Sequence, residues 1–197
     1  MYPWTSLPHA LLALDGEISS AFGGYGLIDY RSAARHVSRL PYGRNRDALD
    51  PFCVLREGCG TCSTKHALLR RLAQEQNVEV RLALGIFEMD ASNTPRVRLV
   101  LQKHGLISLP EAHCYLRTPD CRVDLTGGEA APSKFLTLLH EEEITPEQIG
   151  QYKVARHRSF MKRWMEANGG AGDRSLEQMW QIREDCIQSL CGESNPV

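Results

Sequence analysis

Residues 57–86 read EGCGTCSTKHALLRRLAQEQNVEVRLALGI, and two hydrophobic periods meet inside them. From Cys62 to Gln76, Leu68, Leu69, Leu72 and Ala73 share one face of a helix, while Lys65, Arg70, Arg71 and Glu75 lie largely elsewhere. Asn77 is a C-terminal stop, because asparagine tolerates the left-handed backbone that ends helices. The period then drops to two. Val78, Val80, Leu82, Leu84 and Ile86 alternate with Glu79, Arg81, Ala83 and Gly85, as in a half-buried strand. A helix running directly into a strand, with more strand pattern downstream, predicts an α+β domain in which helices pack on a small antiparallel sheet.

The same stretch carries a candidate nucleophile. Gly58, Gly60 and Thr61 lead into Cys62, which opens the helix. A thiol at a helix N-terminus faces unpaired N–H groups and the positive end of the macrodipole, and both favour thiolate.

At 197 residues the chain fits one domain spanning 1–197. Apolar content of 42% and charged content of 24% are ordinary globular usage and exclude wholesale disorder. A net charge of −1 argues against nucleic acid as a partner held by its phosphates. No apolar run approaches the ~20 residues that span a bilayer, so no membrane association is expected. Met1 to Thr5 lacks a basic segment followed by an apolar core, so no secretory signal is expected either. Seven scattered cysteines, an odd number, suit reduced thiols and a cytoplasmic protein better than a disulfide framework.

Upstream, Leu7 to Leu14 reads as a short helix ended by Asp15-Gly16. Gly23-Gly24-Tyr25-Gly26 is a turn without the Lys-Ser/Thr of a phosphate-binding loop. Residues 29–40 carry Ala33, Ala34, Val37 and Leu40 at helical spacing before Pro41. A polar segment from Pro41 to Pro51 follows, and Phe52 to Leu55 is too short to assign.

Downstream, Pro95 suits a first helical position with Val97, Val100 and Leu101 on a face and Gly105 as terminator; alternation of Val97, Leu99 and Leu101 is the strand alternative. Residues 112–118 and 121–126 read as two strands joined at Pro119-Asp120. The rest, 129–197, reads as a helical C-terminal part. Capping boxes stand at Thr145-Pro146-Glu147-Gln148 and Ser175-Leu176-Glu177-Gln178, and a glycine-rich loop at 168–172 lies between them.

That hairpin brings two further residues into play. With an even loop centred on Pro119-Asp120, Thr118 faces Cys121, Tyr115 faces Asp124 and His113 faces Thr126. His113 and Asp124 then become diagonal neighbours on one face, about 7–8 Å apart at the backbone; an odd loop would separate them. Cys62, His113 and Asp124 therefore form a candidate triad. An imidazole that takes the thiol proton raises the reactive thiolate fraction, and a carboxylate on its other nitrogen fixes its orientation. The backbone N–H of Cys62 is a candidate oxyanion donor, with Asn45 and Tyr42 as candidates for the second.

Taken together, Gly60-Thr61-Cys62-Ser63 with Ala67-Leu68-Leu69, the strand to Ile86, Ala112-His113-Cys114-Tyr115-Leu116 and Arg122-Val123-Asp124-Leu125-Thr126 resemble the transglutaminase-like (papain-like) superfamily. The resemblance covers 55–128, and Cys114-Tyr115 departs from the small-then-aromatic pair that often follows the family histidine. It implies a cysteine-proteinase fold with extra C-terminal helices. It also implies thiol acyl chemistry, hydrolysis or transfer, on an amide-containing protein, peptide or small molecule, with no cofactor and no metal.

Two rivals use the same residues. Cys59-Gly60-Thr61-Cys62 has the C-x-x-C spacing of a thiol–disulfide protein, although Phe52 to Leu55 followed by Arg56-Glu57 supplies poorly the strand such a site requires. Cys59, Cys62, His66, His113 and Cys114 could ligate zinc, but no second C-x-x-C or paired-histidine spacing completes the set. An inactive binding module that keeps the triad is a further alternative.

Overall fold

The computed structural model describes residues 2–127, 137–168 and 172–191. Four helices come first: α1 (Glu17–Gly23), α2 (Tyr30–Arg39), α3 (Cys53–Glu57) and α4 (Cys62–Glu75). Then follow β1 (Arg81–Asp90), α5 (Arg98–Lys103), β2 (Ser108–Arg117), β3 (Arg122–Val123), β4 (Leu138–Ile144), α6 (Gln151–Asn168) and α7 (Leu176–Leu190). The sheet has the order β3-β2-β1-β4, with every neighbouring pair antiparallel. This is an α+β architecture. No helix among the described residues is long and apolar enough to cross a membrane.

The α4-to-β1 passage follows the sequence closely. Asn77 takes a positive φ of 52°, and Val78 N–H reaches back to Ala73 C=O at 2.8 Å, so a left-handed residue closes the helix. β1 starts at Arg81 and runs to Asp90, later at both ends than the 78–86 pattern, because Val78 is tied to the helix end. Leu82, Leu84 and Ile86 meet Leu116, Cys114 and Ala112 across the β1–β2 register. All six pack with Ala67, Leu68, Leu69 and Leu72 of α4 in one core. The opposite parity supplies Phe87, Met89 and Leu109 to a second core with Val97, Leu101, Met161, Met179 and Ile182.

The hairpin has the parity the sequence implies. Leu116 pairs Val123 and Arg117 pairs Arg122, and Thr118 N–H donates to Cys121 C=O at 3.0 Å. β3 holds only two residues, whereas the pattern extended to Thr126. The chain leaves the sheet there because Leu125 N–H donates to His66 Nε2 at 2.9 Å and not to β2.

Three expectations need correction. Residues 7–14 are not helical; the helix lies at Glu17–Gly23, with Gly16 opening it instead of Gly16 ending one. Its start is capped by Glu75 from the far end of α4, whose carboxylate accepts Ile18 N–H at 2.9 Å and Ser19 N–H at 2.7 Å. The part after 128 is not purely helical, since Leu138–Ile144 adds an edge strand to β1. Its sequence, LLHEEEI, shows no clean apolar alternation because an edge strand leaves much of its surface in water. Finally, Lys65 is fully buried and not on a solvated face, and its ammonium donates to Leu40 C=O at 2.5 Å.

Residues 97–101 resolve in favour of helix: Pro95 opens a 3₁₀ turn that leads into α5. Phe52 to Leu55 belongs to the short α3 and its lead-in. The Ser175 capping box closes in both directions, Ser175 N–H to Gln178 Oε1 at 2.8 Å and Gln178 N–H to Ser175 Oγ at 3.3 Å, whereas at Thr145 only the half from Thr145 N–H to Gln148 Oε1 forms, at 2.9 Å. The expectation for 129–136 and most of the loop at 168–172 lie outside the described residues.

Candidate active site

Thr61 caps α4. Its hydroxyl accepts Thr64 N–H at 3.3 Å, and Thr64 Oγ1 in turn accepts Thr61 N–H at 2.9 Å. Gly60 precedes it in a tight spot, where an added Cβ would lie 3.0 Å from Lys65 Cγ and 3.0 Å from Thr64 Oγ1. Gly60 also bridges Tyr42, which fixes the polar segment beside the start of α4. Cys62 is therefore delivered at the first helical position by a well-anchored turn.

The early departure of β3 leaves room for the thiol. N–H groups of alternate strand residues point the same way, so Cys114 N–H points as Thr118 N–H does, toward β3. No β3 residue reaches that position, and Cys114 N–H is directed at the Cys62 sulfur. Cys62 is only 7% exposed.

His113 lies beside it. Its Nε2 is 2.9 Å from Asp124 Oδ2, and its side chain hydrogen-bonds Cys62, which leaves Nδ1 as the sulfur-facing nitrogen. Asp124 Oδ1 accepts Thr126 N–H at 2.9 Å, so both carboxylate oxygens are engaged. The imidazole is packed edge-on by Phe87 at 6.1 Å and His66 at 6.4 Å, and stacked by Tyr115 at 6.4 Å. Tyr115 is itself held by a hydrogen bond to Glu141, which Arg122 grips with two bonds of 2.9 Å. The structure thus brings Cys62, His113 and Asp124 into one hydrogen-bonded chain.

No protein-family model, curated protein or solved structure matches this chain.

The electrostatics follow from these contacts. Burial pushes the Cys62 thiol up, but the Lys153 ammonium, the His113 imidazole with its hydrogen bond, and Cys114 N–H outweigh it and bring the thiol down to about 5. Burial pushes His113 down, while the Asp124 carboxylate and the Cys62 thiolate outweigh it and raise the imidazole to about 9. Burial opposes the charge on Asp124, yet His113 and then His66 hold its carboxyl well below the usual range. Between these limits the pair is thiolate and imidazolium.

Three features escaped the sequence. His66 Nδ1–H donates to Cys62 C=O at 2.7 Å while its Nε2 accepts Leu125 N–H, so both nitrogens are occupied and the ring is neutral. Burial first of all lowers it to about 4. Lys153, on α6, is 8% exposed, with Nζ 2.8 Å from Ser63 Oγ and 3.8 Å from Cys62 Sγ. Arg183 forms a bidentate pair with the buried Glu111 at 2.7 and 2.5 Å, and sits over Trp180 at 5.2 Å. Their charge alone suggests solvated positions, yet helical spacing sets Arg183 on the stripe of Met179, Ile182, Cys186 and Ile187, and Lys153 on that of His157 and Met161; the tertiary arrangement makes them walls of the site.

Lys153 and Arg183, with Tyr42, Arg44, His157 and Trp180 among others, line a pocket of about 280 Å³ that opens onto Cys62, while His66 lies behind it, fully buried. Asn45 does not line it. Both hydrogens of its amide are engaged, by Cys59 C=O at 3.0 Å and Glu57 at 3.2 Å, and its oxygen accepts Thr64 Oγ1–H at 2.8 Å. Asn45 ties the turn to α4 and has no N–H left for a substrate oxygen. Tyr42 keeps its proton, because burial and then the Cys62 thiolate push the phenol up. All seven cysteines are free thiols. Cys59 lies against Gly43, and burial together with the Glu57 carboxylate pushes its thiol up. Among the described residues no cluster of His, Cys, Asp and Glu is arranged to hold a metal ion.

Proposed function

We propose that this protein is a transglutaminase-like cysteine enzyme in which Cys62, His113 and Asp124 carry out acyl chemistry on an amide. The observation that carries the reading is the hydrogen-bonded run from Cys62 through His113 to Asp124, with Nε2 to carboxylate at 2.9 Å, beside an open pocket. The Cys62 thiolate attacks the acyl carbon, forming a C–S bond as the carbonyl electron pair moves to oxygen. Collapse of that intermediate breaks the C–N bond, and the His113 imidazolium gives its proton to the leaving amine. Water or an amine then attacks the thioester, His113 takes its proton, and the thiolate leaves. Asp124 keeps the imidazole in place and balances its charge throughout.

The C-x-x-C alternative is weaker, because its attacking thiol, Cys59, is pushed up and not down. The acyl reading is tested with p-nitrophenyl acetate as an activated donor. Mass mapping is expected to find one acetyl group on Cys62 that turns over slowly in water, and none in the Cys62→Ser or His113→Ala protein. Acetylation spread over other thiols, or unchanged by His113→Ala, would refute it.

A further inference from the structure

We infer that Lys153 is a catalytic residue, its ammonium supplying, with Cys62 N–H, the second contact to the oxyanion of the acyl intermediate. The inference rests on the acyl-transfer reading and adds a residue from outside the stretch that resembles the superfamily, since Lys153 belongs to α6.

A lysine ammonium has three donors and no acceptor. Here one N–H meets Ser63 Oγ at 2.8 Å and another is directed at Cys62 Sγ at 3.8 Å. Among the described residues no third acceptor lies within hydrogen-bond reach, and the side chain borders the pocket that holds Cys62. The spare donor therefore faces the space the substrate carbonyl must enter. When the carbonyl carbon bonds to the sulfur, its oxygen comes within a bond angle of Cys62 Sγ, where an ammonium 3.8 Å from that sulfur can meet it. Productive oxyanion donors sit about 2.7–3.1 Å from the oxygen.

The other basic side chains bordering the pocket are already engaged. Arg183 is held by Glu111, Arg44 by Glu184 at 2.5 Å, and the His157 ring gives its Nε2–H to Pro110 C=O at 2.8 Å. Among the described residues no carboxylate pairs directly with Lys153: Glu111 acts on it from farther off and is already bonded to Arg183, whereas the Cys62 thiolate at 3.8 Å loses its charge as it attacks. The negative charge passes from sulfur to oxygen while the ammonium stays fixed, anchored by Ser63. Asn45 cannot compete for this place, because its amide hydrogens are occupied. Tyr42, a neutral phenol on the same pocket, is the competitor.

Two reagents separate stabilising the oxyanion from stabilising the thiolate. Iodoacetamide alkylates the thiolate without forming a tetrahedral oxyanion; p-nitrophenyl acetate acylates it through one. For each protein the measured quantity is the ratio of the two rates at Cys62, taken on the high-pH plateau where the thiol is fully ionised. Lys153→Met is expected to lower that ratio by about 10²-fold or more, the alkylation rate of the same protein correcting for what the substitution does to the thiolate itself. Lys153→Gln, which retains length and polarity, is expected to do the same and serves if the methionine variant does not fold. A ratio within a few-fold of wild type in the variants, or a ratio that falls instead in Tyr42→Phe, overturns the assignment and leaves acyl transfer standing. Wild-type Cys62 that is alkylated but never acylated overturns both together.

Discussion

His66 offers the sharpest test of how the triad is held. The ring is fully buried and neutral, donating to Cys62 C=O at 2.7 Å and accepting Leu125 N–H at 2.9 Å. It therefore ties the nucleophile's own residue to the one following Asp124. His66→Leu removes both bonds and leaves the Leu125 N–H buried without its partner. That stranded donor costs about 1–3 kcal/mol, and the lost bond at Cys62 adds about 1 kcal/mol. The cost depends on pH. The folded-state value of about 4 lies below the ordinary 6.5, so the unfolded chain takes up the proton first and the contribution of His66 is lost as pH falls below 6.5 toward 4. Linkage puts the loss at about 2 kcal/mol near pH 5. Urea unfolding of wild type and variant is expected to show a gap of about 2–4 kcal/mol near neutral pH, narrowing by about 2 kcal/mol near pH 5. A gap that stays constant across this range would mean that His66 is not held as a neutral ring, and the link from Cys62 to Asp124 would fail with it.

Arg183→Leu leaves the Glu111 carboxylate buried without its main counter-charge, so urea unfolding is expected to show a loss of about 3–5 kcal/mol, with the Glu111→Leu/Arg183→Leu double variant losing less. Gly85→Ala places a methyl group 2.9 Å from Tyr115 Cε1 and 3.0 Å from Leu138 Cδ2. Displacing the ring stacked on His113 is expected to cost about 1–3 kcal/mol in unfolding experiments and to slow Cys62 acylation. Cys59→Ser is expected to leave acylation of Cys62 unchanged, whereas a redox site would lose its activity.

Much of this site could be read from the chain because its determinants are local. Thr61, Cys62 and the apolar face of 68–73 specify a capped helix, and the two-residue turn at Pro119-Asp120 sets the parity that puts His113 and Asp124 on one face. What escaped depends on distant partners. Glu75 caps a helix more than fifty residues upstream, so Gly16 read as a stop and not a start. Lys65, Lys153 and Arg183 are charged residues whose type suggests solvent, although helical spacing sets each on the buried stripe of its helix. Their burial depends on carbonyls, a thiolate and a carboxylate that only the assembled fold supplies. β4 was hidden because an edge strand need not alternate cleanly.

The state of Cys62 at neutral pH decides between a triad and a buried, inert thiol. Its alkylation by iodoacetamide, followed residue by residue through mass mapping, is expected to titrate with a midpoint near 5. In His113→Ala the midpoint is expected to rise by at least about one unit. A wild-type midpoint near the ordinary ~8.5 of a free cysteine, or profiles that superimpose in the two proteins, would contradict the thiolate–imidazolium pair.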